Sequence, residues 1–280
     1  MGSDESVLLC ADLDGVRTLT LNRPHHKNAI DAELWAALQQ TLRATAEDRG
    51  VRAVVVTGAG GDFCSGADIS TPDNRHPTYR MRDLTEVALA LHELPMPSVA
   101  KVRGVAVGAG WNLALGCDFV VATAQARFSQ IFPRRGLSPD LGGSWLLPKI
   151  VGLQQAKRLA LLGDTIDGEQ ALAMNLVTWL HPDDELDGVV DDLARRLAAG
   201  PPVALAQTKA LLNEGADRTL REALAGEARA QGINFATADA PEAFAAFAEK
   251  RQPRFTGRWT VTRPPVRSAD RPDNEGRTDA

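Results

Sequence analysis

Two glycine-rich stretches and one aspartate are the places where this sequence could do chemistry. Residues 54–68 read VVVTGAGGDFCSGAD and residues 104–112 read GVAVGAGWN. A glycine-rich turn from strand to helix presents backbone N–H groups that lack intrahelical acceptors, together with the partial positive charge of a helix start, so it can hold an anionic oxygen. Two such turns converging make an oxyanion hole. Taken singly, either one reads equally well as a tight turn that lets a helix lie on a strand. Asp140, in GLSPDLGG, is the candidate acid near both. Burial beside an apolar ligand would raise its pKa to a value suited to carrying protons, whereas an aspartate ahead of a glycine pair is also a routine helix cap.

Other site chemistries find no pattern to match. Gly108-Ala109-Gly110 is followed by Leu113 where a dinucleotide fingerprint needs its third glycine, and the spacing from Gly61 to Gly66 is followed by Ala67 where a phosphate-binding loop has lysine. Neither Ser65 nor Ser144 lies in a G-x-S-x-G nucleophile elbow. The five histidines, at 25, 26, 76, 92 and 181, show no ligand spacing, so no metal is expected. Cys10, Cys64 and Cys117 are odd in number, far apart and set in apolar surroundings without a CxxC pair, which predicts buried free thiols.

These positions need elements to hold them. Apolar runs flank Asp14-Gly15 in VLLCADLDGVRTLTL, predicting a β-hairpin with Leu19 and Leu21 on one face and Val16, Thr18 and Thr20 on the other. Leu34, Leu38 and Leu42 recur at spacing four behind Asp31, predicting an amphipathic helix over 31–48. Strands are predicted at 51–57, 98–103 and 118–122, with helices opening after Gly110 and Gly143. This alternation implies an α/β core of parallel strands, whose ligands lie beyond the strands' carboxyl ends, where both glycine stretches fall. Polar residues 70–83, with two prolines, read as an exposed loop able to cover a ligand. Beyond residue 153 only 176–180 reads as strand, and helices are predicted over 153–162, 183–199, 203–212, 218–233 and 241–250. Residues 258–280, with three prolines and many charges, read as a disordered tail. The expected organisation is a core domain over 1–200, a helical region over 201–257 and the tail.

The chain's 280 residues, 44% apolar and 24% charged, suit an ordinary globular protein with a large core. A net charge of −5 without a basic patch gives nucleic acid no footprint. The start MGSDESVLL lacks the basic and apolar regions of a secretory signal, and no apolar run is long enough to span a bilayer, so a cytoplasmic protein without a membrane partner is expected.

Five strings, NRPHHKNAI, VVVTGAGGDFCSGADI, KVRGVAVGAGWNLALGCDFVVAT, FSQIFPRRGLSPDLGGSWLLPKIVG and KRQPRFTGR, together resemble the enoyl-CoA hydratase/isomerase (crotonase) superfamily in this order. The resemblance implies an α/β, crotonase-like spiral of ββα units with a helical C-terminal trimerisation region. It also implies a homotrimer or a hexamer built as a dimer of trimers, and an acyl-CoA thioester as partner, coenzyme A being part of the substrate and no further cofactor being required. By position, Ala67 and Ala109 would supply the two N–H groups that hold the thioester oxygen. Asp68, Ile69 and Ser70 would line the adenine and pantetheine path, and Arg23, His25 and Lys27 would meet coenzyme A phosphates. The structural alternatives are a turn cap for Asp68, core for Ile69 and solvated loop charge for the three basic residues.

Two departures from the family pattern direct the functional reading. Hydratases of the family carry two glutamates at positions that are here Asn112 and Phe132. Asparagine cannot take a proton at neutral pH, and phenylalanine can neither donate nor accept a hydrogen bond. Asp140 falls eight positions after Phe132, where several family isomerases carry an aspartate, and GLSPDLGGSWLLP is most similar to the ring 1,2-epoxyphenylacetyl-CoA isomerases, which also lack the glutamate pair. The expected activity is that of an acyl-CoA isomerase, with Asp140 moving the proton and Trp111 and Phe132 shaping an apolar acyl pocket. An enoyl-CoA hydratase in which Asn112 belongs to a different water-positioning set, and a non-catalytic acyl-CoA binding protein in which Asp140 is a cap, stay open as alternatives.

Overall fold

The computed structural model describes residues 6–70 and 75–260. β1 (Leu8–Leu13) and β2 (Val16–Leu21) form the predicted hairpin, and Asp14 and Gly15 between them take φ of 50° and 79°. A two-residue hairpin turn of the primed type needs positive φ at both positions, which explains the Asp-Gly pair. Leu19 and Leu21 are buried, and Val16, Thr18 and Thr20 are half-buried on the other face. α1 (Ala32–Glu47) follows, with the Asp31 carboxylate accepting from the Leu34 N–H and with Leu34, Leu38 and Leu42 buried. Leu38→Ala is expected to destabilise the protein by about 2–5 kcal/mol in urea denaturation, since it removes buried methyls and leaves a cavity.

The remaining elements in order are β3 (Ala53–Gly58), α2 (Pro77–His92), β4 (Ser98–Val102), β5 (Val105–Val107), α3 (Ala109–Leu115), β6 (Phe119–Ala122), β7 (Arg127–Ser129), α4 (Gly143–Leu162), β8 (Thr165–Asp167), α5 (Gly168–Ala173), β9 (Trp179–Leu180), α6 (Leu186–Ala198), α7 (Pro202–Gly215), α8 (Leu220–Phe235) and α9 (Asp239–Glu249). One sheet runs β1-β2-β3-β4-β6-β9, antiparallel at the hairpin and parallel from there on. A second runs β5-β7-β8. Its edge is extended by Phe63 and Cys64, whose N–H groups donate to the Arg103 and Val105 carbonyls while the Val107 N–H donates to the Cys64 carbonyl. The chain therefore lays a strand in the first sheet, a strand in the second and then a helix, twice over as β4-β5-α3 and β6-β7-α4, which is the ββα spiral.

Successive strand residues point to opposite faces, so the first sheet feeds two cores. Val54 and Val56 join the large core with α1, α2 and α3, while Val55, Val99 and Val121 meet Leu186, Val190 and Leu193 of α6.

Several expectations are corrected. The predicted loop over 70–83 is helical from Pro77, because proline suits the first turn of a helix and Leu84, Val87 and Leu91 supply a buried stripe; residues 71–74 lie outside the described residues. α3 opens at Ala109, not after Gly110. The helices expected after Gly143 and over 153–162 are both present, run together within α4 and divided at Gly152, whose φ of 74° and ψ of 161° are not helical. Within 176–180 the paired residues are Trp179 and Leu180. Cys10 is exposed on β1, whereas burial pushes the Cys64 and Cys117 thiols up to about 12. At the start of the expected tail, Trp259 bridges to Thr237 and the Ala238 N–H donates to the Arg258 carbonyl; residues 261–280 lie outside the described residues. Among the described residues no helix is long and apolar enough to cross a membrane.

Candidate active site

The strand-like segments that end at Cys64, Val107 and Ser129 lie side by side in the second sheet, so the chain leaving each carboxyl end arrives at one place. Gly66 has φ of 100°, and a Cβ there would sit 2.9 Å from the Val107 carbonyl oxygen and 3.7 Å from the Ala109 nitrogen. Glycine alone tolerates both that backbone and that approach. At Gly110 a Cβ would lie 2.4 Å from the Cys64 carbonyl oxygen, so the bare glycine is what lets α3 rest on the 62–67 loop. Gly110→Ala is expected to destabilise by about 1–3 kcal/mol through overpacking against backbone, read as a lowered urea midpoint.

This packing brings Ala67 and Ala109 to the wall of one cavity of about 340 Å³. On either side of Ala67 the backbone is paired with Ile30, whose N–H donates to the Gly66 carbonyl and whose carbonyl accepts from the Asp68 N–H. Ala109 is the first residue of α3, where an N–H has no intrahelical acceptor. Neither the Ala67 nor the Ala109 N–H has an acceptor among the described residues. The pair can hold one anionic oxygen in the cavity between them.

Asp140 and Phe132 line the same cavity. Phe132 starts a short 3-10 turn (Phe132–Arg135) after β7 and is buried. Asp140 is not a helix cap. Leu141 and Gly142 both take left-handed backbone, at φ of 46° and 79°, and α4 begins at Gly143 with no side-chain cap. The Asp140 carboxyl therefore does not cap the helix, and its buried Oδ1 has no hydrogen-bond partner. Burial pushes its pKa up from 3.8 to about 6, against the lowering effect of its own backbone N–H. A second cavity of about 550 Å³ shares Ala67, Asp68, Ile69, Leu137 and Asp140 with the first and has Ile30, Trp35, Met81 and Leu84 on its far wall. Asp140 thus stands on the wall between the N–H pair and a second room in which those apolar side chains are joined by Asp31, Arg75 and Arg80.

The other expected site residues divide. Asp68, Ile69 and Ser70 line the first cavity, Ile69 as an exposed residue rather than core. Hydrogen bonds from the Ser70 hydroxyl and N–H, and then the Arg23 guanidinium, hold the Asp68 carboxyl well below the usual range. Arg23 lies inward, paired with Asp31 and Asp68 and donating to the Ala29 carbonyl, and it reaches neither cavity. His25 and Lys27 also stay outside both, because the turn at Pro24–His26 aims His26 at the site and Lys27 lies 3.7 Å from the Asp62 carboxylate. Trp111 is core, wholly buried with its ring centroid 5.5 Å from that of Phe128, and is no wall of an acyl pocket.

Asn112 is buried, and both halves of its amide are engaged, by Gln130 and by the Asp140 carbonyl. It does not line the cavity that holds Asp140 and the two N–H groups. Sequence reasoning missed His26, Ser65 and Arg135 on the cavity wall and Gln130 behind it. The HH pair and the position of Gln130 two before Phe132 were the available signals. Among the described residues no cluster of three or more His, Cys, Asp or Glu could hold a metal ion.

A ββα spiral that converges two free amides and a buried acid on one cavity defines a class. The chain belongs to the enoyl-CoA hydratase/isomerase family, whose sequence model matches residues 12–258. It is 38% identical over 252 residues to the 1,2-epoxyphenylacetyl-CoA isomerase of Escherichia coli K12, covering 87% of this chain and 96% of that protein. It is 41% identical over 252 residues to a probable enoyl-CoA hydratase of Rhodobacter capsulatus, covering 88% and 96%. Among solved structures, an enoyl-CoA hydratase of Mycobacterium smegmatis superposes with a TM-score of 0.84 at 33% identity, covering 90% of this chain and 99% of that one.

Proposed function

We propose that this protein is an acyl-CoA isomerase that shifts a proton within the acyl group through an enolate held by Ala67 and Ala109, with Asp140 as the proton carrier. One observation carries the reading: an acid with a buried, unpartnered oxygen stands on the wall shared by the cavity of the free N–H pair and the room beside it. The thioester oxygen accepts from both amides. Asp140 takes a proton from the α carbon, the C–H electron pair spreads into the enolate, and the same carboxyl returns the proton to the γ carbon as the double bond moves into conjugation. Atoms balance without water or an oxidant. The likeness to the Escherichia coli isomerase supports the reading, and on an epoxyphenylacetyl-CoA-like thioester Asp140 would assist epoxide opening. Coenzyme A is the handle of the substrate, held along Asp68, Ile69 and Ser70, and no separate cofactor is proposed.

Hydratase names among the relatives favour a second reading, enoyl-CoA hydration. The two positions at which hydratases of the family carry glutamate offer no base for it, because the Phe132 side chain has no polar atom and both halves of the Asn112 amide are engaged. A 3-enoyl-CoA should gain the absorbance of a conjugated thioester, and crotonyl-CoA in water should keep its own. Loss of absorbance from crotonyl-CoA, with no gain from the 3-enoyl-CoA, would replace isomerisation by hydration, and no change on a broad thioester panel would leave a binding protein. Because the base form of Asp140 is needed, kcat/KM should fall as pH drops through about 6.

A cytoplasmic homotrimer, or a dimer of such trimers, completes the proposal. Leu220, Leu224 and Phe235 of α8 and Phe244 and Phe247 of α9 are exposed, and so much apolar surface on neighbouring helices suits burial against another copy.

A further inference from the structure

Behind Asp140 two buried side-chain amides join the three segments that build the site. Asn112 on α3 and Gln130 just after β7 are 1% and 0% exposed. Gln130 Nε2 donates to Asn112 Oδ1 at 2.8 Å, while the buried Gln130 Oε1 has no partner. Asn112 Nδ2 then donates to the Asp140 carbonyl oxygen at 2.9 Å, and the Gly143 N–H donates to the same oxygen at 2.9 Å. Gly143 closes the space: a Cβ there would lie 2.3 Å from Asn112 Nδ2.

We infer that Asn112, backed by Gln130, is a positioning residue that holds the backbone of Asp140 so that its carboxyl keeps its place at the cavity wall; the inference rests on Asp140 being the proton carrier. An amide is required at 112 because the side chain must accept from Gln130 and donate to the Asp140 carbonyl at once. Aspartate would set a carboxylate oxygen against that carbonyl, and glutamate would need a further methylene where Gly143 leaves no room. Position 112 therefore cannot both carry an ionised acid and brace Asp140. The brace has a purpose, since the left-handed turn at Leu141 costs energy for a residue with a side chain and would otherwise relax, turning Asp140 with it.

The test compares Asn112→Asp and Gln130→Met with the wild-type full-length chain. The readouts are kcat and KM on a 3-enoyl-CoA and carbon-13 NMR titration of the Asp140 carboxyl, assigned with Asp140→Asn. The charged and titratable groups facing Asp140 across the two cavities, His26, Asp31, Asp68, Arg75, Arg80 and Arg135, are the same in both variants.

Asn112→Asp is expected to lower kcat by about 10- to 100-fold with KM unchanged, the usual consequence of misplacing a reacting group, and to move the Asp140 titration upward. Gln130→Met should do the same to kcat more weakly. Wild-type kcat and an unmoved Asp140 titration in folded variants overturn the inference. Should Asn112→Asp fail to fold, Gln130→Met decides alone. Full turnover by Asp140→Asn would instead sink the isomerase reading, whereas an inactive Asp140→Asn beside fully active Asn112→Asp and Gln130→Met variants sinks the brace only.

Discussion

Asp140→Asn is expected to lower kcat on a 3-enoyl-CoA by about 10²- to 10⁴-fold, the range in which a positioned acid-base group contributes, and to leave thioester binding measured by calorimetry intact. Asparagine keeps the shape and cannot carry the proton. The same substitution should stabilise the fold. Burial raises the Asp140 pKa from 3.8 to about 6, so between those values the folded chain holds a proton that the unfolded chain has released. Wild-type stability therefore falls as pH rises through that window and stays lowered above it. The substituted amide has no charge to bury, so the variant gains on the order of 1–3 kcal/mol over wild type at pH 7 and nothing below pH 3.8. A helix cap predicts the reverse pair, a protein that is less stable and still active. Turnover together with denaturation curves at low and neutral pH separates the two.

Ala109→Pro is expected to reduce kcat by about 10²- to 10³-fold, the effect of removing one oxyanion donor. Backbone donors are hard to delete, but this one sits at the first position of α3, where proline fits because the N–H it removes has no intrahelical acceptor. Gly108 ahead of it has no Cβ to meet the proline ring. A variant that melts near the wild-type temperature and binds coenzyme A itself normally, yet turns over poorly, assigns the loss to the missing N–H and the methylene in its place. Unchanged kcat would remove Ala109 from the mechanism.

Much of the fold was legible because its signals are local. Asp14-Gly15 demanded a primed turn, the spacing of Leu34, Leu38 and Leu42 demanded a helix face, and Gly66 and Gly108 mark backbone that side chains rarely permit. The glycines marked two turns able to present bare amides, and the places of Ala67, Ala109 and Asp140 came from the family motifs. The three-residue strands β5, β7 and β8 were not legible, since alternation cannot be read over so short a run, and they exist because neighbouring segments complete their hydrogen bonds.

The sequence by itself determined the class of this protein: an α/β spiral with two glycine-shaped turns, an acid at 140 and no acid at 112 or 132. The tertiary structure decided what each candidate is free to do. Arg23 is taken by Asp31 and Asp68, Trp111 by the core, and Asn112 by Gln130 and the Asp140 backbone, while the Asp140 carboxyl is left with an unpartnered oxygen. The reason is physical. A side chain's availability depends on the partners brought to it from elsewhere in the chain, here 18 residues away for Asn112 and Gln130, 28 for Asn112 and Asp140 and 45 for Arg23 and Asp68, distances over which no local pattern carries information.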